Sequence, residues 1–405
     1  MHLMAAAFGL MLVLTGVSGE ECSAGTDAAI GEASKIISFI PAAARVVILG
    51  ESSHGVAEFS QLRAQIFTAL RQEDRAELLL VEGPVAGCFE ANQLIRAGGS
   101  AEQAAKGCIF PVSRDAHAVA AISQLQGGGG RPASVVGLDV QTGDTDLALR
   151  FFQRREALIN SIGKNRFDAI RDALVMLSRG PRGWTDGKRE AASALAIRLD
   201  LLSTALPSPG AADQDLLILR LAVQSLAADL RLQSHLSVND WVAAAKTRST
   251  GMARNLKEVI AQSNGKGAAV VWTHSSHAQY RRSYAVPVGG NRLGAGSGAL
   301  GAVVRDLIPE SERFSINMYA YGGQGRANDG SLYFIPGPRP DSVEEVCIQS
   351  GLKTGLLLVR SPSDVPKCWA TKLLTTTEWS SLVALRPIDQ FDAALCVDGP
   401  RPIVR

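Results

Sequence analysis

The chain has 405 residues, of which 46% are hydrophobic, so it is long enough to bury a large core and too apolar to be intrinsically disordered. Its 41 basic and 39 acidic residues leave a formal net charge of +2, which gives no electrostatic basis for a nucleic acid or an anionic membrane as partner. The length fits one large domain with an insertion, or two smaller domains.

The N-terminus begins with an apolar stretch that is typical of a secretory signal peptide. Residues 3–17 are mostly apolar and precede Ser18 and Gly19, which predicts a signal peptide over residues 1–19 with cleavage after Gly19. The stretch is too short for a stable membrane span. The six cysteines are Cys22, Cys88, Cys108, Cys347, Cys368 and Cys396. The signal peptide predicts a periplasmic or secreted protein, and because the number of cysteines is even and that compartment is oxidising, we expect structural disulfides.

The first predicted strand ends in an acid and an imidazole. The apolar run Val46–Leu49 indicates a strand that is buried on both faces, as in a parallel sheet covered by helices. Glu51 and His54 follow this run directly. Since parallel sheets bind their ligands at the carboxyl ends of the strands, we expect Glu51 and His54 at a functional site.

A helix and a second strand complete a βαβ unit. Apolar residues at helical spacing between residues 57 and 73 predict a helix, and this helix carries Arg63. The apolar run Leu78–Val81 then leads into Glu82. A carboxylate at the end of a buried strand is costly unless it is paired or hydrated. Glu82 is therefore a candidate to orient His54 or an attacking water, or to form an ion pair with Arg63.

A third strand adds polar residues at the same edge. The run Ser134–Leu138 leads into Asp139 and Gln141. An ordinary turn after a strand explains Asp139 nearly as well as a functional role does. Because the carboxyl ends of parallel strands share one edge of the sheet, we expect both side chains at the floor of the same cleft.

The middle of the chain is predicted to be helical. Between Thr145 and Asn264 the sequence has almost no strand signal, and apolar residues recur at helical spacing. This pattern divides the chain into a first part of an α/β core (residues 20–144), a helical insertion (145–264) and a second part of the core (265–405). Such an insertion is expected to form a wall or lid over the cleft.

A fourth strand carries a histidine pair. The run Ala268–Trp272 is followed by His274 and His277, at i, i+3 spacing. Two such histidines can donate hydrogen bonds to an oxyanion, act as a general acid or bind a metal. Strands near 314–321 and 355–359 extend the pattern. The predicted fold class is α/β, with a mostly parallel central sheet flanked by helices and a large α-helical insertion.

Taken in order, these segments resemble the motifs of the erythromycin esterase family, within the erythromycin esterase-like and Tiki-like hydrolase superfamily. The matching segments are Gly50–Gly55 with Arg63, Leu80–Glu82, Gly137–Gln141, Arg248–Leu256 and Trp272–His277. They cover about residues 40–325 in discontinuous blocks. Ser275 stands where many members have Asn, and the segment after about residue 325 matches no motif.

The resemblance implies a hydrolase in which water attacks an ester, a lactone or a related acyl bond of a small molecule, without an essential metal or other cofactor, and the N-terminal signal adds that this hydrolase is exported. His54 would be the general base, because a helix N-terminus favours the neutral imidazole, although nearby carboxylates favour the protonated form. The other catalytic candidates are Glu51, Glu82, His274 and His277, and the candidates for substrate binding are Arg63, Asp139 and Gln141.

Two rival functions share these residues. Three histidines with two or three carboxylates are a ligand set that a divalent metal would accept, so a metal-dependent hydrolase or protease is an alternative, although no His-Glu-x-x-His helix occurs. A non-enzymatic protein that binds haem or another ligand is the second alternative. A serine nucleophile is less favoured, because the chain has no Gly-x-Ser-x-Gly elbow.

The aromatic content of the insertion bears on the substrate. Its aromatic residues are few, chiefly Phe151, Phe152, Phe167, Trp184 and Trp241. A pocket for a large macrolide needs a wide, apolar and aromatic lining. We therefore expect a different or smaller acyl substrate.

Overall fold

The structure is a computed structural model. It describes residues 28–29, 33–127, 133–210, 213–263, 267–281, 284–285, 299–351, 354–360, 366–378 and 381–404. The predicted signal peptide over residues 1–19, and with it Cys22, lies outside the described residues.

The described residues form thirteen strands. They are β1 (Ala28–Ala29), β2 (Val46–Glu51), β3 (Ala76–Pro84), β4 (Ser134–Asp139), β5 (Ala268–His274), β6 (Tyr284–Ala285), β7 (Arg313–Tyr321), β8 (Gly323–Arg326), β9 (Leu332–Ile335), β10 (Thr354–Leu358), β11 (Leu374–Glu378), β12 (Ser381–Leu385) and β13 (Ala393–Asp398).

Sixteen α-helices accompany them in the same residues. They are α1 (Ala33–Ile37), α2 (Ala57–Gln72), α3 (Val85–Arg96), α4 (Ala101–Cys108), α5 (Ala116–Gly127), α6 (Thr145–Gln153), α7 (Glu156–Ser161), α8 (Arg166–Ser178), α9 (Asp186–Ala205), α10 (Gln214–Ser237), α11 (Trp241–Gln262), α12 (Ser275–Ala278), α13 (Ala299–Leu307), α14 (Val343–Gln349), α15 (Cys368–Thr371) and α16 (Pro387–Gln390).

An eight-stranded sheet lies at the centre of the fold. Its strand order is β1-β10-β13-β7-β2-β5-β3-β4. The strands from β13 to β4 are all parallel to one another, and β10 runs antiparallel to both of its neighbours. This arrangement confirms the predicted α/β class with a mostly parallel sheet.

Strand residues alternate between two hydrophobic cores, one on each face of the sheet. In β2, Val46 and Ile48 belong to one core and Val47 and Leu49 to the other, and all four are fully buried. Successive side chains of a strand point to opposite faces, so a strand covered on both sides needs an unbroken apolar run. This requirement is why the apolar runs in the sequence predicted these strands correctly.

The helical segment covers one of these faces. Six helices, α6 to α11, follow one another between Thr145 and Gln262, and the described residues of this segment contain no strand. Their apolar side chains share a core with β2, β4 and β5. Asn255 of α11 donates to the backbone oxygen of Leu138 in β4 at 2.9 Å. The segment is therefore packed directly on the sheet, and α11 reaches the edge where β4 ends.

The segment that contains β8 to β13 completes the sheets. β10 and β13 join the central sheet, β8 and β9 form a two-stranded sheet, and β11, β12 and β6 form a three-stranded sheet. Burying β13 between β10 and β7 makes this segment part of the fold's core.

Two disulfides link parts of the described chain. Cys88 is bonded to Cys108, which joins α3 to α4, and Cys347 is bonded to Cys396, which joins α14 to β13. The described residues include no free cysteine. Within the same residues, no helix combines the length and the apolar character that crossing a bilayer requires.

Candidate active site

Four neighbouring strands end at one edge of the sheet with ionisable side chains. In the order β2, β5, β3 and β4, these strands bring Glu51, His274, Glu82 and Asp139 to the same edge. Glu51 and His274 are register partners across β2 and β5. The structure thus brings to one edge residues that lie up to 223 positions apart in the sequence, from Glu51 to His274.

His54 lies on the turn between β2 and α2, where Glu51 holds its ring. The Nδ1 atom of His54 is 2.7 Å from Oε1 of Glu51, and Nη2 of Arg63 is 2.9 Å from Oε2 of the same carboxylate. A carboxylate can only accept hydrogen bonds, so it assigns the imidazole proton to Nδ1 and the lone pair to Nε2. Arg63 is therefore paired with Glu51, not with Glu82.

Residues far along the chain hold the turn of His54. Gly55 has a φ of +67°, and a Cβ atom there would lie 2.0 Å from the backbone oxygen of Arg326, so only glycine fits. The hydroxyl of Tyr333 donates to the backbone oxygen of His54. The backbone N–H of Ile403 donates to the oxygen of Gly55 at 2.9 Å. The turn is thus fixed by β8, β9 and the segment around residue 403.

Arg248 of α11 binds the two carboxylates at the ends of β3 and β4. Its Nη2 contacts Oε1 of Glu82, and its Nε lies 3.0 Å from Oδ2 of the fully buried Asp139. Burial alone would raise the pKa of Glu82, but Arg248 and, more weakly, His277 and His54 outweigh it and hold that pKa well below its usual range. Glu82 is therefore ionised, and Arg248 pairs with both Glu82 and Asp139.

The two histidines after β5 are buried and neutral. Burial and the neighbouring His54 lower the pKa of His274, and burial lowers that of His277. The Nε2 of His274 is 3.2 Å from the backbone oxygen of Ser52, and its Nδ1 accepts from the backbone N–H of Ser276 at 3.2 Å. These contacts place the proton on Nε2.

The rings of His54 and His274 lie together. Their centroids are 4.9 Å apart at an interplanar angle of 60°. The Nδ1 of His277 is 3.5 Å from Oγ of Ser249, next to Arg248 on α11. The His274 and His277 side chains therefore lie behind the ring of His54 and beside Glu82, whose Oε2 accepts from the backbone N–H of His274 at 2.9 Å.

A cavity of about 380 Å³ opens at this edge of the sheet. Its lining includes Glu51, His54, Arg63, Glu82 and Gln141 among the sequence candidates. Asp139, His274 and His277 are not part of its lining. These three lie behind the lining residues: Asp139 contacts Arg248, His274 contacts Glu82 and the ring of His54, and His277 lies near Ser249.

Several lining residues were not among the sequence candidates. They are Val81, Ile109, Phe110, Pro111, Val112, Ser113, Arg248, Trp272, Thr273 and Asn328. Arg248 belongs to a segment that matches a family motif, so the sequence held a signal for it. The loop 109–113 and Asn328 carry no pattern that could have placed them in a cleft.

The donor set gives little support for a resident metal ion. Among the described residues, no group of three or more histidine, cysteine and acidic side chains is arranged to hold one. The carboxylates of Glu51, Glu82 and Asp139 each already pair with an arginine. A divalent cation would have to compete with that guanidinium for the same oxygen atoms.

Comparison with known proteins identifies relatives. A family model described as erythromycin esterase matches residues 77–399. A Bacillus cereus protein of solved structure is 15% identical, with a TM-score of 0.68 over 89% of this chain and 90% of that one. A histidine-to-asparagine mutant of the erythromycin esterase EreC, in its open conformation, is 17% identical, with a TM-score of 0.66 over 91% and 94%.

A third solved structure, of a succinoglycan biosynthesis protein, is 13% identical, with a TM-score of 0.65 over 91% of each chain. Among curated proteins, none matches this chain. At these identities the structural likenesses show the fold, and the matching family model shows the family.

Proposed function

Because the chain belongs to the erythromycin esterase family, we propose that it hydrolyses an ester, a lactone or a related acyl bond, with His54 as the general base. The observation that carries this proposal is the contact of 2.7 Å between Nδ1 of His54 and Glu51, at the wall of the cavity. It orients the ring so that its basic nitrogen, Nε2, can take a proton from water.

The reaction proceeds in two steps. The water oxygen bonds to the acyl carbon while His54 Nε2 takes one of its protons, and the carbonyl oxygen becomes an oxyanion. The carbon–oxygen bond to the leaving group then breaks, and the leaving alkoxide takes the proton back from the imidazolium. Glu51 stabilises that imidazolium, and Arg63 keeps the Glu51 carboxylate in place.

Arg248 is the proposed partner of the oxyanion. It binds Glu82 and Asp139 through Nε and Nη2, and none of the contacts within the described residues uses its Nη1. Its side chain is 24% exposed, in the cavity wall. Fixed by two carboxylates, the guanidinium needs little rearrangement when negative charge develops on the substrate, and this is the condition for strong electrostatic stabilisation.

The cavity favours a small acyl substrate over a macrolide. Its volume of about 380 Å³ lies near the lower end of the range for ligand sites. The aromatic residues of the helical segment do not line it. Phe151, Phe152, Phe167 and Trp184 are buried in the core, and Trp241 is exposed elsewhere.

Comparing substrates tests the function. The purified protein should hydrolyse simple aryl esters or small lactones, and a Glu51→Gln variant, which weakens the support of His54, should be slower on every substrate. Efficient hydrolysis of erythromycin at micromolar concentration would show that the substrate assignment is wrong. No hydrolysis of any acyl substrate would overturn the function itself.

Export of the protein, removal of residues 1–19 and division into segments 20–144, 145–264 and 265–405 are also part of this proposal. The two disulfides support an oxidising compartment, periplasmic or extracellular. Arg248 and Ser249 support a functional role of the helical segment, because α11 brings both to the cleft.

A further inference from the structure

A buried carboxyl group lies beneath the turn that carries the histidine pair. Glu378, in β11, is 4% exposed. Its Oε1 accepts from Oγ of Ser275 at 2.9 Å and from Nε2 of Gln279 at 2.7 Å. Ser275 begins α12 and Gln279 directly follows it, so one carboxyl oxygen holds both ends of this four-residue helix. We call residues 274–279 the histidine turn.

The histidine turn has no room to shift toward β2. A Cβ atom at Gly50 would lie 2.7 Å from Cβ of Ala278 and 3.2 Å from Cα of Ser275, so the turn packs directly on the backbone of this strand. The next residue of β2 is Glu51, which holds His54. Any displacement of the turn therefore changes the position of His274 relative to His54.

We propose that Glu378 is a positioning residue. Its hydrogen bonds with Ser275 and Gln279 keep the histidine turn packed against β2 and so fix the positions of His274 and His277 behind the general base. It lies outside the sequence segments that were identified as family motifs, but within the residues 77–399 that the family model matches. The kinetic test of this inference rests on the proposed function, because it requires a hydrolysed substrate. A second test, by NMR, requires no substrate.

The surroundings of Glu378 favour its neutral form. The described residues offer it no cationic partner, and the ionisable groups that face it are Glu344 of α14 and Tyr319 of β7. Burial, with a contribution from Glu344, raises the pKa of Glu378 to about 7, against the hydrogen bonds from Ser275 and Gln279.

The pH dependence follows from these surroundings. Below about pH 7 Glu378 is neutral and its two hydrogen bonds hold the turn. Above that pH a carboxylate without a counter-ion is buried under the turn, and the cost of its desolvation favours movement of the turn or entry of water. We therefore expect kcat to fall as the pH rises through about 7.

Three variants test this role. Glu378→Gln keeps an acceptor for Ser275 and cannot ionise, so its kcat should stay within about twofold of the wild type at about pH 6 and lose the decline above neutral pH. Glu378→Ala should lower kcat by about tenfold or more and change KM less. Glu344→Ala is the matched control, because Glu344 is equally buried and accepts from Thr376 and Thr377 but does not contact the turn.

The second readout is the NMR signals of the histidine rings, assigned by single substitutions. The signals of His274 and His277 should shift in Glu378→Ala and stay in place in Glu344→Ala. Equal loss of kcat in the two alanine variants, an unchanged pH profile in Glu378→Gln, or unmoved ring signals in Glu378→Ala would each overturn the inference. If the wild type hydrolyses nothing, the proposed function fails, and the ring signals still decide the role of Glu378.

Discussion

Ion pairs between carboxylates and arginines keep the acidic residues of this site charged. Arg63 pairs with Glu51, and Arg248 pairs with both Glu82 and Asp139. A buried carboxylate without such a partner would take up a proton instead. The pairs therefore keep negative charge beside His54 at neutral pH, and negative charge is what the imidazolium needs during the reaction.

The first prediction concerns His54. Replacing it by Asn preserves a polar side chain of similar size but removes the base, so kcat should fall by roughly a hundred- to ten-thousand-fold while the protein stays folded. Steady-state kinetics and circular dichroism check the two parts of this statement. His117 on α5 is the matched control, since it lies away from the cavity lining. A loss below about fivefold in His54→Asn would disprove the role of His54 as the base.

The second prediction concerns Arg248. Arg248→Met leaves the buried charges of Glu82 and Asp139 without a partner, so the free energy of unfolding should drop by about 3–5 kcal/mol. Adding Asp139→Asn and Glu82→Gln to this variant removes those charges and should restore much of the stability. Denaturant titrations of the single and triple variants measure the effect.

A measurement of activity separates the structural role of Arg248 from its proposed role as the partner of the oxyanion. The triple variant regains stability but still lacks a cation at the cavity wall, so we expect it to remain inactive. Recovery of both stability and activity would show that Arg248 serves the fold alone.

At the scale of elements, the sequence predicts best those strands and helices whose burial requires a local pattern of apolar residues. The apolar runs of β2, β4 and β5 and the helical spacing of α2 give such a pattern, and these elements lie within a residue or two of their predicted bounds. The strands β8, β9 and β11 are short and partly exposed. They form through contacts with distant residues, which no local pattern records.

The same distinction holds for the site. Glu51, Glu82, Asp139 and the histidines could be placed at one edge from the rule for parallel strands. The partners of the carboxylates could not be predicted, because Arg248 is 166 positions from Glu82 and 109 from Asp139. The sequence-based pairing of Glu82 with Arg63 is replaced in the structure by Arg248, which the packing of α11 on β4 brings to the edge.

The third prediction tests whether β9 supports the turn of His54. Tyr333→Phe removes the hydroxyl that donates to the backbone oxygen of His54, so stability should fall by about 1 kcal/mol and kcat by about tenfold, because the general base is displaced. Phe334→Leu, at the neighbouring position that is 70% exposed, should change neither. Thermal unfolding and kinetics of both variants measure this, and equal kcat in the two would refute the supporting role.

At the scale of the whole molecule, export and disulfide formation belong together. We expect mass spectrometry of the mature protein to find Glu20 at its N-terminus, and thiol titration under denaturing conditions to find at most one free thiol among the six cysteines. Reduction should lower the unfolding temperature, because Cys347–Cys396 closes a long loop, at a sequence separation of 49. An uncleaved chain with six free thiols would place the protein in the cytoplasm.

The contact between the turn of His54 and the segment around residue 403 also constrains biosynthesis. The backbone of Gly55 and Ala57 pairs with that of Ile403 and Arg401, and β13 must enter the sheet between β7 and β10. A nascent chain that has emerged from the ribosome only as far as α11 holds His54 and Arg248 but lacks β5, β9 and the segment around residue 403, which contact the turn of His54. The turn of His54 can therefore reach its final arrangement only after synthesis has passed residue 403, so we expect it to form late in folding.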